Sequence, residues 1–297
     1  MGGAQGRAPA RGRGADAVTV DAHHHFWDPA TAEYPWLTAE LEPIRRRFGP
    51  DDLEPELAAA RVERTILIQT RSSLAETREF LATAATTGFV AGVVGWVDLS
   101  DPNLADVLAE IREWPGGRLL VGVRHQVHDE PDPAWLLQPA VQRGIAAVGE
   151  ASLAYDLLVR APELPAAEAT ARRNPDVRFV VDHLAKPRIG AGPADPEWAA
   201  ALAPLAELAN VYCKLSGLVT EADWKSWRPE DLAPYVTRVL GWFGPDRCMF
   251  GSDWPVCLLA AGYGQVLAAL EENLAGIGDA SRARVLGGTA EEFYRLG

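Results

Sequence analysis

From Val18 onward, short β-rich apolar runs alternate with longer amphipathic ones, and this alternation constrains the fold of the 297-residue chain more than any other feature. Strand and helix patterns repeated in turn build a parallel sheet, because each crossover helix returns the chain to run in the same direction. The strand candidates are Thr19 to Ala22, Thr65 to Gln69, Val90 to Asp98, Leu119 to Arg124, Leu153 to Asp156, Val177 to Asp182, Asn210 to Leu215 and Cys248 to Gly251. Helix candidates between them include Leu74 to Thr86, Asn103 to Trp114, Pro139 to Glu150, Leu164 to Asn174, Trp198 to Leu208, Leu232 to Phe243 and Tyr263 to Leu274. This count and length fit a single (β/α)8 TIM barrel over residues 18–297 better than an open doubly wound sheet. No Gly-x-Gly-x-x-Gly follows the first strand, which weakens a dinucleotide-binding reading. The stretch from Phe26 to about Asp51 is far longer than a usual βα loop and is expected to cap the C-terminal face. It carries Trp27, Tyr34, Trp36 and Arg45 to Arg47; packing against the barrel rim accounts equally well for Tyr34 and Trp36. The tail from Ser281 to Gly297 is expected to close the barrel.

Composition removes several function classes. A net charge of −13 argues against a nucleic-acid partner, since such binding draws on clustered Lys and Arg. Cys213, Cys248 and Cys257 are too few and too scattered for a disulfide framework or a Cys-rich zinc site, and read as buried thiols of a reducing compartment. Residues 1–17, rich in Gly, Ala and Arg, resemble a disordered basic arm more than a signal peptide, because no apolar stretch follows the arginines. No later apolar run approaches the ~18 residues that span a bilayer. A soluble cytoplasmic protein without a membrane partner is expected.

In a barrel, chemistry belongs where strands end, so the polar residues there matter most. The segment Val20 to Asp28 reads Val-Asp-Ala-His-His-His-Phe-Trp-Asp. Strand geometry sends His23 and His25 to one face and His24 to the other. Two neutral imidazoles spaced this way can reach one divalent ion without bending the backbone. Core or surface histidines, or a fragment of an affinity tag, are the bland accounts of the same run. Later strands end in Gln69, in Arg124 and His125, in Tyr155 and Asp156, in Asp182, His183 and Lys186, in Lys214 and Ser216, and in Ser252, Asp253 and Trp254. Charges and imidazoles converging in this way are costly to bury without purpose. For Asp182, Lys214 and Ser216 a structural hydrogen bond or salt link is an equal account, and His24 and His128 read as ordinary.

Six segments then carry a resemblance: Asp-Ala-His-His-His-Phe-Trp at 21 to 27, Val-Arg-His at 123 to 125, Tyr-Asp-Leu-Leu at 155 to 158, Asp-His-Leu-Ala-Lys-Pro at 182 to 187, Cys-Lys-Leu-Ser-Gly-Leu at 213 to 218 and Met-Phe-Gly-Ser-Asp-Trp-Pro-Val at 249 to 256. Together they resemble the amidohydrolase superfamily of TIM-barrel hydrolases. More narrowly they resemble its lactonase branch, the group with L-fuconolactonase, L-rhamnonolactonase and 2-pyrone-4,6-dicarboxylate lactonase. The resemblance implies that His23, His25, His183 and Asp253 surround the reacting centre. Binuclear members carry a bridging Lys or Glu on the fourth strand and a histidine on the fifth, where this chain has Arg124-His125 and Tyr155-Asp156. A two-metal site is therefore not expected. One zinc-like ion on His23, His25 and Asp253, with His183 as a fourth ligand, and a metal-free site both stay open.

Opening a small lactone, most simply a sugar (aldono) lactone, needs a water nucleophile, a base, a stabilised carbonyl oxyanion and a proton for the leaving alcohol. Asp253 is assigned as the base, and His183, His23 and His25, or a metal they hold, as the groups that polarise the carbonyl. Arg124, His125, Tyr155 and Lys186 are assigned to the ring hydroxyls or the carboxylate that forms, and Trp27 to an apolar face of the ring, with packing an equal account of Trp27. No Gly-x-Ser-x-Gly elbow is present, which disfavours a serine nucleophile. The rivals are a metal-dependent decarboxylase of an aromatic or unsaturated acid, which shares a comparable ligand set, and a non-catalytic barrel that binds a sugar acid.

Overall fold

The computed structural model describes residues 18–190 and 195–297; the expected N-terminal arm, residues 1–17, lies outside them. Eight parallel strands follow one another round the sheet in sequence order: β1 (Val20–His24), β2 (Arg64–Ile68), β3 (Val90–Gly95), β4 (Leu120–His125), β5 (Ala154–Leu157), β6 (Arg178–Val181), β7 (Val211–Leu215) and β8 (Cys248–Phe250). The sheet closes beyond the ends of the first and last strands, where the Asp253 amide donates to the His23 carbonyl at 2.8 Å and the His25 amide to the Trp254 carbonyl at 2.7 Å. The fold is thus a (β/α)8 barrel whose seam runs through candidate site residues.

Sequence and structure agree on the elements because the strands are buried on both faces and, apart from the polar residues of the site, apolar on both, as a sheet covered inside and out requires. Outward-facing Leu67, Val93, Val123, Leu157, Phe179 and Leu215 pack under the helices. Inward-facing Val20, Ile66, Ile68, Val94, Ala154, Val180 and Met249 form a separate interior cluster. Phe293 and Tyr294 of the C-terminal helix Thr289–Tyr294 join that interior cluster, so the tail plugs the barrel from below as expected. Gly287 lets the tail come this close, because a Cβ there would lie 2.0 Å from the Val18 carbonyl oxygen.

The long connection after β1 doubles back on itself. Trp27 and Phe48 exchange backbone hydrogen bonds at 3.1 and 2.9 Å, and a 3-10 turn over Ala39–Ile44 crosses between them. A helix absent from the sequence candidates, Pro50–Ala60, follows directly. Among the described residues no helix is long and apolar enough to cross a membrane.

Candidate active site

The site begins with an irregularity. The β1–β2 register shifts between Asp21 and His24, and Asp21 turns away from the imidazoles to accept hydrogen bonds from the Ser252 amide (2.8 Å), the Ser252 hydroxyl (2.6 Å), the Tyr263 hydroxyl (3.0 Å) and the His23 backbone amide (3.1 Å). Its carboxyl is raised to about 6, by burial first, against the pull of those donors. Asp21 therefore ties the loop after β8 to β1. His24 faces outward and meets the Thr65 hydroxyl at 2.9 Å, with burial pushing it down to about 3.

His23 and His25 face the barrel centre with their Nε2 atoms 3.2 Å apart. Asp253 Oδ1 lies 3.4 Å from His25 Nε2, 3.8 Å from His23 Nε2 and 3.8 Å from His183 Nε2. Asp253 sits at φ +57°, a region asparagine and aspartate tolerate better than most residues. Burial works against its charge, but His183, His25 and Lys186 together hold it below the ordinary carboxylate range. His183 stands on a rarer backbone: His183, Leu184, Ala185 and Lys186 all have positive φ, a full left-handed turn. The turn is held by the Lys186 amide on the His183 carbonyl (2.7 Å) and the Trp198 indole on the Leu184 carbonyl. Ser216 Oγ contacts His183 Nδ1 at 2.9 Å, and Gly217 clears the ring, since a Cβ there would meet Nδ1 at 2.6 Å. Burial lowers His183 to about 3 and keeps it neutral.

Beneath this floor lies a fully buried charged layer. Lys214 Nζ meets Asp156 Oδ2 at 2.5 Å, Asp182 Oδ1 at 2.9 Å and His23 Nδ1 at 3.3 Å. Arg124 Nη1 donates to Asp182 Oδ2 at 2.9 Å, and its other nitrogens to Gln69. Burial alone would raise Asp182, yet Lys214, His23 and Arg124 hold it well below the carboxylate range. The equal account, that Asp182, Lys214 and Ser216 are structural links, matches their contacts.

Above the floor opens a cavity of about 410 Å³, lined by His25, Arg124, His183, Lys186 and Asp253 together with Trp36, Leu41, Gln126, His128, Arg160, Glu221 and Trp224. Its size is that of small-molecule sites. Three expected substrate contacts are not on its wall. His125 points to the opposite face of β4 from Arg124: Trp96 donates to its Nδ1 at 3.0 Å, it meets Glu130 at 2.7 Å and it stacks on Trp135. Tyr155, likewise opposite Asp156, packs on Phe179 in the outer core. Trp27 is buried in the loop, its indole donating to the Ile44 carbonyl at 3.1 Å. Trp36 reaches the cavity in its place, and with Leu41 makes the long loop a cap. His128, set aside in the sequence, lines the wall and is lowered to about 4, by burial first. Tyr155→Phe is expected to leave kcat and KM unchanged, because the lost hydroxyl is buried without a partner; a KM change above about threefold in steady-state assays would return Tyr155 to the substrate.

The donors suit one ion. Four-coordinate zinc with ligand bonds near ~2.0–2.1 Å sets its ligand atoms about 3.3 Å apart, close to the spacing of His23, His25 and Asp253. A second candidate group, His23, Asp182 and His183, is already served by Lys214 and Arg124, each 2.9 Å from Asp182, so a further dication there would face two cations. Elemental analysis is expected to find no more than one tightly held ion per chain.

A parallel barrel with this His-x-His, histidine and aspartate set at its C-terminal mouth is the architecture of the amidohydrolase family, and the chain belongs to that family, whose model matches residues 20–296. It is 43% identical to an L-fucono-1,5-lactonase of Burkholderia ambifaria over 93% of this chain and 95% of the relative. An L-fucono-1,5-lactonase of Burkholderia multivorans is 40% identical over 94% of this chain and 97% of the relative. A crystal structure of an amidohydrolase from Burkholderia multivorans with bound zinc superposes with a TM-score of 0.89 at 40% identity, covering 95% of this chain and 100% of that one.

Proposed function

We propose that the protein hydrolyses the ring ester of a sugar lactone of the aldono-1,5-lactone kind. The observation that carries this reading is the buried Asp253 carboxylate, 3.4 to 3.8 Å from the Nε2 atoms of three imidazoles, on the floor of a cavity of about 410 Å³. Two full-length relatives bearing the name L-fucono-1,5-lactonase support the same substrate class.

Asp253 accepts the proton of a water as its oxygen adds to the lactone carbonyl carbon. A carboxylate below the ordinary range stays ionised at neutral pH, so it can orient the water and receive its proton as the bond forms. Ser216 donating to His183 Nδ1 leaves Nε2–H as a donor for the carbonyl oxygen, a placement worth most in a dry site. Collapse expels the ring oxygen, which takes the proton back from Asp253. Arg124 and Lys186 hold ring hydroxyls and the new carboxylate. A divalent ion, zinc by its donor set, supplies Lewis acidity when bound by His23, His25 and Asp253.

A panel of aldonolactones followed by proton release with a pH indicator tests the reading, because the ring-opened acid ionises as it forms. Turnover of at least one sugar lactone is expected. No turnover of any lactone, with carbon dioxide evolved from an aromatic acid instead, would replace it with the decarboxylase.

A further inference from the structure

His23 is fully buried beneath the cavity, and each of its ring nitrogens faces both a donor and an acceptor. Nδ1 lies 3.3 Å from Lys214 Nζ and 3.4 Å from Asp182 Oδ1. Nε2 lies 3.2 Å from Arg124 Nη1 and 3.2 Å from His25 Nε2. A neutral imidazole carries one proton and cannot satisfy all four. His25 narrows the choice: its Nδ1, 2.8 Å from the Ile68 carbonyl, must be the donor there, so its Nε2 presents a lone pair.

Two arrangements result. With the proton on Nε2, His23 donates to His25 and its Nδ1 accepts from Lys214; the floor is closed without any ion. With the proton on Nδ1, His23 donates to Asp182 and its Nε2 carries a single lone pair, which either Arg124 Nη1 at 3.2 Å or an ion can take. Without an ion, Arg124 covers the His23 lone pair, but His25 Nε2 loses its donor and faces the Asp253 carboxylate 3.4 Å away, a repulsion that a cation between His23, His25 and Asp253 removes.

We propose that His23 exchanges between these two tautomers and that a divalent ion bound by His23, His25 and Asp253 selects the second, with Lys214 the positioning residue of the ion-free state and Asp182 that of the loaded one. The inference rests on reading those three residues as an ion site. The proton moves from Nε2 to Nδ1 of the same ring, so His23 releases none on loading. The site is thereby intact in either state, because Lys214 supplies the hydrogen bond that Asp182 gives up.

The test uses the full chain, chelator-stripped and labelled with nitrogen-15 in its six histidines, with His23 identified by the signals lost in His23→Asn. In long-range proton–nitrogen correlation spectra, Nδ1 of His23 is expected to be unprotonated in the stripped protein and protonated after one equivalent of zinc. Protonated Nδ1 in the stripped protein overturns the proposal. Asp182→Asn is expected to weaken zinc about 10–100-fold in competition with a chromophoric chelator, the usual effect of losing a carboxylate behind a metal-bound histidine; unchanged affinity overturns it as well. A wild-type protein that takes up no zinc brings down the ion-site reading and the exchange with it. Lactone turnover, assayed on the same samples, reports on the proposed function separately.

Discussion

Asp253→Asn is expected to lower kcat for lactone hydrolysis by about 10²–10⁴-fold, the range of a lost general base, with folding and ligand binding largely kept. The amide has the carboxylate's size and its backbone bond to the His23 carbonyl is unchanged, but it cannot take a proton from water. The loss should therefore fall on kcat with little change in KM. Where Asp253 also holds an ion, the variant loses metal, and added zinc restores little. Steady-state kinetics retaining more than about a tenth of wild-type kcat would move the base to His183.

Lys214→Met carries the largest expected effect on stability. The ammonium is fully buried between Asp156 and Asp182, and removing one partner of a buried ionic group costs about 3–5 kcal/mol because the others keep their desolvation cost. The pH dependence has a definite sign. Burial pushes Asp156 from 3.8 up to about 6 despite Lys214, so its contribution to stability is complete below 3.8 and falls as pH rises through 6. Without the ammonium its folded pKa rises further, and the deficit against wild type should be larger at pH 8 than at pH 6. Urea unfolding at the two pH values measures this; a deficit under about 1 kcal/mol at pH 8 would mean that the layer tolerates Asp156 without a cationic partner while Asp182 keeps Arg124.

The alternation of apolar runs placed all eight strands within a few residues, because a strand buried on both faces has little freedom in composition. His23 and His25 were legible for the same reason, as a pair two apart on one strand. His125 and Tyr155 were chosen for their chemistry when the strand rule already sent them away from Arg124 and Asp156. Asp21 escaped that rule, since the register shift after it reverses the alternation, and nothing in the local sequence marks the shift. The helix Pro50–Ala60 was hidden by two prolines and only two buried leucines, Leu53 and Leu57. Gln126, His128, Arg160 and Trp224 lie on loops whose path is set by contacts distant in sequence, so no spacing rule reaches them.

The backbone from His183 to Lys186 works as a compressed spring. Left-handed winding costs an L-residue roughly 1–2 kcal/mol, so four in a row hold back a sizeable share of the about 5–15 kcal/mol by which a domain outlasts its unfolded state. Only the surrounding contacts, from Trp198 and Ser216 in particular, keep that spring loaded. Gentle heating should release it before the strands part, swinging the imidazole and the ammonium out of line while the circular dichroism of the barrel is still native. Catalysis would then fade at a lower temperature than secondary structure, and return on cooling.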